Sequence, residues 1–261
     1  MTSHDTDLRQ PSTQFVASEP RVLSVPGFRN LRDVGGYPTR RGGRTRSLRL
    51  LRSELPVSTD AAVAVAAAHT VALVIDLRDD EEEQEIPSPF AAVGLPTRRI
   101  PIFAGSAASF VEENFTLERL YRHMLTSSGA AFAQVAAEIA GAEGATLVHC
   151  TLGKDRTGLA VALVLDAVGV EREAVVADYA MTRDQFDDVW REARLRGLAE
   201  FHGRDLRQIA PLLTESPAAV MRDVLSGVDD TWGGSAGFLL EHGLAPSAFE
   251  NLVAQLTEES S

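Results

Sequence analysis

The chain has 261 residues, 44% of them hydrophobic, enough to bury a real core in one large domain or two small ones. A formal net charge of −12 argues against general nucleic-acid binding, and a single cysteine excludes an internal disulfide and fits a reducing compartment. The N-terminus carries acids and no apolar h-region, and neither long apolar stretch, Ala61 to Ile75 (broken by His69 and Thr70) or the shorter Gly158 to Val170, suits a bilayer, so no integral membrane segment and a cytoplasmic location are expected.

Met1 to Pro20 is polar and aperiodic and reads as a frayed tail. No Pro/Gly/Ser-rich linker follows, so residues 21–261 are expected to form a single domain. From Arg29 to Arg52 there are eight arginines and one acid, Asp33. This run reads as a solvated hairpin or as a positive rim that attracts an anionic substrate, and the two are compatible. Asp33 is suited to cap the turn at Gly35-Gly36 or to pair with an arginine.

Thr45 to Arg52 alternates loosely and predicts a strand or hairpin arm ending at Ser53. Ser58 or Thr59 caps an Ala-rich helix running to about Ala68. Val71 to Ile75 is a β-branched run, a buried strand ending at Asp76, and Asp79 to Glu83 reads as a solvated charge run. Arg98 to Ile102 is a further short strand, and Phe110 to Leu125 and Ala130 to Ala140 show helical spacing. Ala145 to His149 predicts another buried strand. Gly158 to Val168 is apolar nearly all round, a helix buried on every side, and Gly169 ends it. Everything after Glu171 reads as helix. Strands alternating with helices give an α/β fold with a mostly parallel central sheet flanked by helices and a helical C-terminal part.

One segment carries most of the chemistry: His149-Cys150-Thr151-Leu152-Gly153-Lys154-Asp155-Arg156-Thr157-Gly158. A strand enters it and a buried helix leaves it, and in open α/β sheets ligands bind at the carboxyl ends of strands. A short loop curling around a helix start turns its N–H groups inward as an anion nest, here from Thr151, Leu152, Gly153 and Lys154, with Gly153 supplying the freedom to curl. Arg156 adds a planar fork that matches two phosphate oxygens. The same field favours the Cys150 thiolate, since helix N-termini and nearby cations lower a cysteine pKa from about 8.5 to roughly 3.5–7.5. A thiolate facing a bound phosphate is placed for in-line attack on phosphorus, and Thr157 can donate its hydroxyl to the sulfur as it departs. His149 is expected to orient the loop rather than act as a base. The cradle supplies the positive charge a metal would bring, and no residue cluster has metal-ligand spacing, so no cofactor is expected.

This segment is similar to the signature of the protein tyrosine phosphatase superfamily, HCxxGxxR followed by Thr or Ser. Its filled-in form, HCxxGKDRTG, resembles the atypical bacterial tyrosine and phosphoinositide phosphatases, and the Lys-Asp pair is also seen in lipid phosphatases such as the myotubularins. Asn30-Leu31-Arg32-Asp33-Val34-Gly35-Gly36 resembles that group's NxRDxGG element. Leu51-Arg52-Ser53-Glu54-Leu55 resembles its RSxxL element, and Ile75-Asp76-Leu77-Arg78 its DLR strand end. Ala177-Asp178-Tyr179 and Gly233 to Gly243 also fit, so the resemblance runs from about Arg21 to Leu252. It implies a tyrosine-phosphatase-like fold and hydrolysis of phosphotyrosine, with phosphoserine, phosphothreonine and phosphoinositides as further substrates. The partners are then phosphorylated proteins or phosphoinositides. Some relatives carry a mobile helical lid, a role that falls here to Phe110–Leu125.

The best-known tyrosine phosphatases place their general acid in a WPD loop, and no WPD occurs here. Asp155, inside the loop beside the arginine, is the leading candidate for the acid. Asp76, at a neighbouring strand end, is second, with a salt bridge to Arg78 or to an arginine of the basic run as an equal reading. Other chemistries fit less well. A rhodanese-like sulfurtransferase needs no Asp-Arg-Thr continuation. A cysteine hydrolase needs a paired histidine base, and His69, His123, His202 and His242 lie in no recognisable motif. A phosphate-binding protein without activity needs no thiolate.

Overall fold

A computed structural model describes residues 21–102, 116–193, 196 and 214–259. The tail before Arg21, the first part of the expected lid up to residue 115, and His202 lie outside the described residues. Among the described residues eight strands occur in chain order: β1 (Arg21–Val22), β2 (Arg32–Asp33), β3 (Arg44–Thr45), β4 (Leu50–Ser53), β5 (Val71–Asp76), β6 (Thr97–Arg99), β7 (Ala145–His149) and β8 (Thr257–Glu258). The main sheet runs β1-β2-β4-β7-β5-β6. Its inner pairs β4·β7, β7·β5 and β5·β6 are parallel, and β1 and β2 form an antiparallel edge. The sheet is therefore α/β and mostly parallel, as the alternation of elements implies.

Side chains alternate across this sheet with the period of two that a strand imposes. Leu31, Leu51, Val74 and Leu147 face one side and pack with Ala62 and Val65 of α1 (Thr59–His69) and Phe90 of α3 (Pro89–Ala92). Leu50, Leu73, Ile75 and Val148 face the other. That side is covered by α4 (Leu117–Ser127), α5 (Gly129–Gly141), α6 (Asp155–Ala167), α7 (Arg172–Ala180), α8 (Ala218–Trp232), α9 (Ser235–Glu241) and α10 (Pro246–Leu256). A short acidic helix, α2 (Asp80–Glu85), follows β5. Ser58 caps α1 by accepting from the Ala61 N–H at 3.3 Å. Helix α6 is buried from Thr157 to Asp166, and Gly169 follows at φ +92°, a left-handed turn that only glycine adopts cheaply.

Several elements depart from the sequence pattern for physical reasons. Helix α6 starts at Asp155, three residues before its apolar run, because its first turn is polar and belongs to the site. Strand β6 spans Thr97–Arg99 rather than running to Ile102, although the Ile100 and Ile102 N–H groups still donate to the Asp76 and Leu77 carbonyls at 2.9 and 3.1 Å. The expected arm Thr45–Arg52 is two pieces, broken near Leu48 at φ 57°: β3 pairs with β8 in a separate two-stranded sheet, and β4 enters the main sheet. The C-terminal part is thus not all helix. The described part of the expected lid is α4, which buries Leu117, Leu120, Tyr121, Met124 and Leu125 and so belongs to the core.

Most of the arginine run is solvated, with Arg29, Arg40, Arg41, Arg44 and Arg46 exposed, but two of its members are not. Arg32 and Arg52 are fully buried and share the buried carboxylate of Asp178 on α7. Arg52 Nη1 donates to Asp178 Oδ2 at 2.5 Å, Arg32 Nε to Oδ1 at 3.3 Å, and the Tyr37 hydroxyl to Oδ1 at 3.0 Å. Burial alone would raise the Asp178 pKa, but the two guanidiniums outweigh it and hold the carboxylate ionised. Burial, followed by repulsion from Arg52, lowers Arg32 to about 10, still charged at neutral pH. Arg40 pairs with Asp166, and Asp33 does two jobs, capping the Gly35 N–H at 2.9 Å and pairing with Arg21. Removing one partner of a buried ion network leaves uncompensated charge. Asp178→Ala should therefore lose about 3–5 kcal/mol of unfolding free energy in urea titration. A parental midpoint would show that the guanidinium pair needs no counterion.

Candidate active site

Strands β4, β7 and β5 are in register so that Ser53, His149 and Asp76 lie side by side at their carboxyl ends. The chain leaves β7 there through Cys150, turns over residues 151–154, and enters α6 at Asp155. Every carbonyl of this turn is held from outside. The Cys150 carbonyl accepts from His149 Nδ1 at 3.2 Å, and the Thr151 carbonyl from the Leu55 N–H at 3.2 Å. The Leu152 and Gly153 carbonyls both accept from Asn30 Nδ2 at 3.1 Å, and Gly153 also from Arg52 Nη2 at 2.8 Å. A trans peptide places its N–H opposite its C=O. Carbonyls drawn outward therefore turn the following N–H groups inward, over Cys150 and the start of α6, as an anion nest. Gly153 sits at φ +65°, and a Cβ there would come 2.2 Å from the Ser53 carbonyl oxygen, so only glycine fits.

The side chains named from the sequence gather unequally at this turn. Cys150 is 3% exposed at its floor. Arg156 leans over it from the first turn of α6, and burial, which would lower its pKa, is outweighed by Glu82 and Cys150, which raise it. Lys154 is buried, with Nζ on Asp155 Oδ1 at 2.7 Å and on the Glu215 carbonyl at 3.0 Å. The Asp155 side chain is 24% exposed. Thr157 Oγ1 is buried with no hydrogen-bond partner among the described residues. His149 is fully buried; burial lowers its pKa and leaves it neutral. Its Nδ1 faces a carbonyl, which only accepts, so Nδ1 carries the hydrogen.

Asp76 does not join the group. It is 1% exposed, and Arg78 takes both its oxygens, Nε at 3.0 and 3.1 Å and Nη2 at 2.7 Å. Burial pushes its pKa up, but its charged neighbours, among them that fork, win and hold it below the ordinary value. A carboxyl so buried and so firmly ionised is unsuited to deliver a proton, and the salt-bridge reading holds.

Glu82 was hidden in the charge run that reads as solvated. Asp79 caps α2, and Glu82 closes a capping box with it, the Asp79 N–H donating to Glu82 Oε2 at 3.2 Å. The same carboxylate meets Arg156 end-on, Oε2 to Nη1 and Oε1 to Nη2 at 2.7 Å, and accepts from the Thr151 hydroxyl. Glu82 thus takes the Nη1–Nη2 end of the fork, Nη2 also lies 3.4 Å from Thr151 Oγ1, and no described hydrogen bond uses Nε. The spacing Asp79-x-x-Glu82 was the sequence signal that α2 starts here, although nothing in it pointed to Arg156.

The sequence profile of the tyrosine phosphatase family matches residues 23–258. The chain belongs to the tyrosine phosphatase family. Among its relatives, the triple specificity protein phosphatase PtpB of Mycobacterium tuberculosis is 27% identical over 88% of this chain and 97% of its own. A tyrosine-protein phosphatase of Nostoc commune is 29% identical over 76% of this chain and 70% of its own. A Cupriavidus necator relative is 31% identical over 92% of each chain. The crystal structure of Pseudomonas aeruginosa TpbA aligns with a TM-score of 0.41 at 20% identity, over 73% of this chain and 93% of that one. As a tyrosine phosphatase, the protein is an enzyme that acts on phosphorylated substrates. Among the described residues no helix is long and apolar enough to cross a membrane.

The Glu82–Arg156 pair sets a pH expectation for this phosphatase. Partial burial raises the Glu82 pKa, but Arg156 lowers it further, to about 2 from 4.5. A depressed carboxylate stabilises the pair fully above about pH 4.5 and loses it only as pH falls through about 2. Glu82→Gln keeps shape but not charge, so kcat/KM should fall roughly 10–100-fold, the worth of a hydrogen bond to a charged group. The loss should be uniform from pH 5 to 8, whereas a loss that varies across that range would assign Glu82 a titrating role.

Proposed function

We propose that the protein hydrolyses phosphate monoesters through a phosphocysteine on Cys150. The observation that carries this reading is the inward-turned nest over a buried cysteine, with a fixed arginine at its lip. The phosphate oxygens take the N–H groups of Thr151, Leu152, Gly153 and Lys154 and the free edge of Arg156. The Cys150 sulfur, as thiolate, attacks phosphorus in line. A sulfur–phosphorus bond forms, the phosphorus–oxygen ester bond breaks, and the leaving oxygen takes a proton from Asp155. Water then attacks phosphorus and gives a proton to the Asp155 carboxylate. Sulfur leaves as thiolate, and the Thr157 hydroxyl, unpartnered among the described residues, is suited to receive it. The nest and Arg156 hold the equatorial charge in both steps without reorganising.

Phosphotyrosine is the primary substrate in this reading. Phosphoserine, phosphothreonine and phosphoinositides are further ones, supported by the Lys154-Asp155 pair and by the triple specificity named for the mycobacterial relative. The protein is taken to act in the cytoplasm as one phosphatase domain spanning residues 21–261.

Asp155 is assigned as the acid over Asp76, because Asp155 is 24% exposed with an oxygen that no described hydrogen bond uses, whereas Asp76 is locked to Arg78.

Two experiments test the scheme. Cys150→Ser should abolish turnover yet bind vanadate by calorimetry, since the nest is backbone plus Arg156, and any retained turnover sinks the phosphocysteine. Asp155→Asn should lose about 10²–10⁴-fold on aryl phosphates with poor leaving groups and far less on good ones. Equal losses on both, with leaving-group dependence appearing in Asp76→Asn instead, would reverse the assignment.

A further inference from the structure

Two buried tyrosines far apart in sequence meet at the proposed acid. Tyr121, on the inner face of α4, places its hydroxyl 2.8 Å from Asp155 Oδ1. The Tyr179 hydroxyl, on α7, lies 2.7 Å from that of Tyr121, and the two rings cross edge to face at 84° with centroids 6.0 Å apart. Both residues are fully buried. Gly158 packs against this pair: a Cβ there would lie 3.0 Å from Tyr179 Cδ2 and 3.4 Å from Arg52 Nη2, a tight contact that would press on the ring.

We propose that Tyr121 and Tyr179 form a directional hydroxyl chain that positions Asp155 and selects which of its oxygens carries the transferred proton; this rests on the reading of Asp155 as the acid. The direction follows from proton counting. A carboxylate oxygen accepts, so the single Tyr121 hydrogen goes to Oδ1, and the contact between the tyrosines must then be donated by Tyr179. Burial, with Asp155 next, raises the Tyr121 pKa well above 10, and burial raises Tyr179 too. Both hydroxyls stay donors at every working pH.

Asp155 Oδ1 then accepts twice, from Tyr121 and from Lys154 Nζ, while no described hydrogen bond reaches Oδ2. An oxygen already filled by two donors is the wrong place for a proton. The proton sits on Oδ2, on the open side of the carboxyl, and passes from there to the leaving oxygen. The negative charge left behind is met by donors already in place. When water attacks, the same oxygen takes the proton back.

The groups facing Asp155 are Lys154 and Arg156 beside it, Cys150 in the loop, Tyr121 from α4 and Tyr179 from α7, with Glu118 and Arg52 acting on Tyr179. All but the hydroxyl under test remain when one tyrosine becomes phenylalanine. Removing a donor from a carboxylate disfavours its ionised form, so the proton is held to higher pH. For Tyr121→Phe, the basic limb of kcat/KM on a poor-leaving-group aryl phosphate should move up by about one pH unit, a hydrogen bond to a charged group read on the pH axis. Rates on a good leaving group should stay near parental. Tyr179→Phe should shift the limb in the same direction by less, and Tyr121→Phe should add nothing in the Asp155→Asn background. A Tyr121→Phe enzyme that slows good and poor substrates alike with an unmoved basic limb overturns the proposal and leaves the tyrosines as packing. If Tyr121→Phe misfolds, an unmoved limb in Tyr179→Phe overturns it equally. Failure of the underlying reading looks different: Asp155→Asn itself shows no leaving-group dependence.

Discussion

The site depends on one carboxylate placed between two guanidiniums where water cannot reach. Asp178 compensates Arg32 and Arg52, and neither arginine could stay buried and charged without it. The consequence is felt at the turn after Cys150. Arg52 spends one nitrogen on Asp178 and the other on the Gly153 carbonyl. Arg32 holds the Asn30 side-chain oxygen, which leaves the Asn30 amide nitrogen to bind the Leu152 and Gly153 carbonyls. An ion network in the core thus dictates which way two peptide planes face.

That arrangement accounts for how the proposed nest can be held in shape. Inward N–H groups repel one another. The cost is met from behind, by carbonyls bonded to His149, Leu55, Asn30 and Arg52, so the nest is formed before substrate binds. Preorganised donors of this kind need not reorient as charge develops, which is where such sites gain most. Glu82 does the same for the arginine, fixing the Nη1–Nη2 end of its fork.

What the sequence disclosed follows the range of the interactions involved. The turn from Cys150 to Arg156, its entering strand and its departing helix were legible because their signals are local: a β-branched run, a glycine, a polar helix start. The Asp33 turn and the Ser58 cap were legible for the same reason. Arg32, Arg52 and Asp178 were not, because a charge reads as exposed until its partner is known, and here the partner is more than a hundred residues away. Glu82 was lost in a run of acids that differ only in which one faces Arg156. Tyr121 and Tyr179 carry no motif, and only the packing of α4 against α7 and α6 brings them to Asp155. Family resemblance did mark the Asn30, Arg52 and Asp178 segments, but gave them no task.

The two carboxylates nearest the nest show how environment divides labour between chemically similar groups. Glu82 has both oxygens engaged, by Arg156, Thr151 and the Asp79 N–H, so it is ionised throughout and serves as a fixed charge. Asp155 has one oxygen engaged and one open. The first kind of carboxylate cannot donate a proton, and the second cannot anchor an arginine. Asp76, chelated by Arg78, belongs with Glu82 in this respect despite its place at a strand end beside His149. The decisive property is therefore how many oxygens remain unclaimed, not how close a carboxylate lies to the phosphate. By that measure the tyrosine pair and Lys154, by filling one side of Asp155, are what make its other side usable.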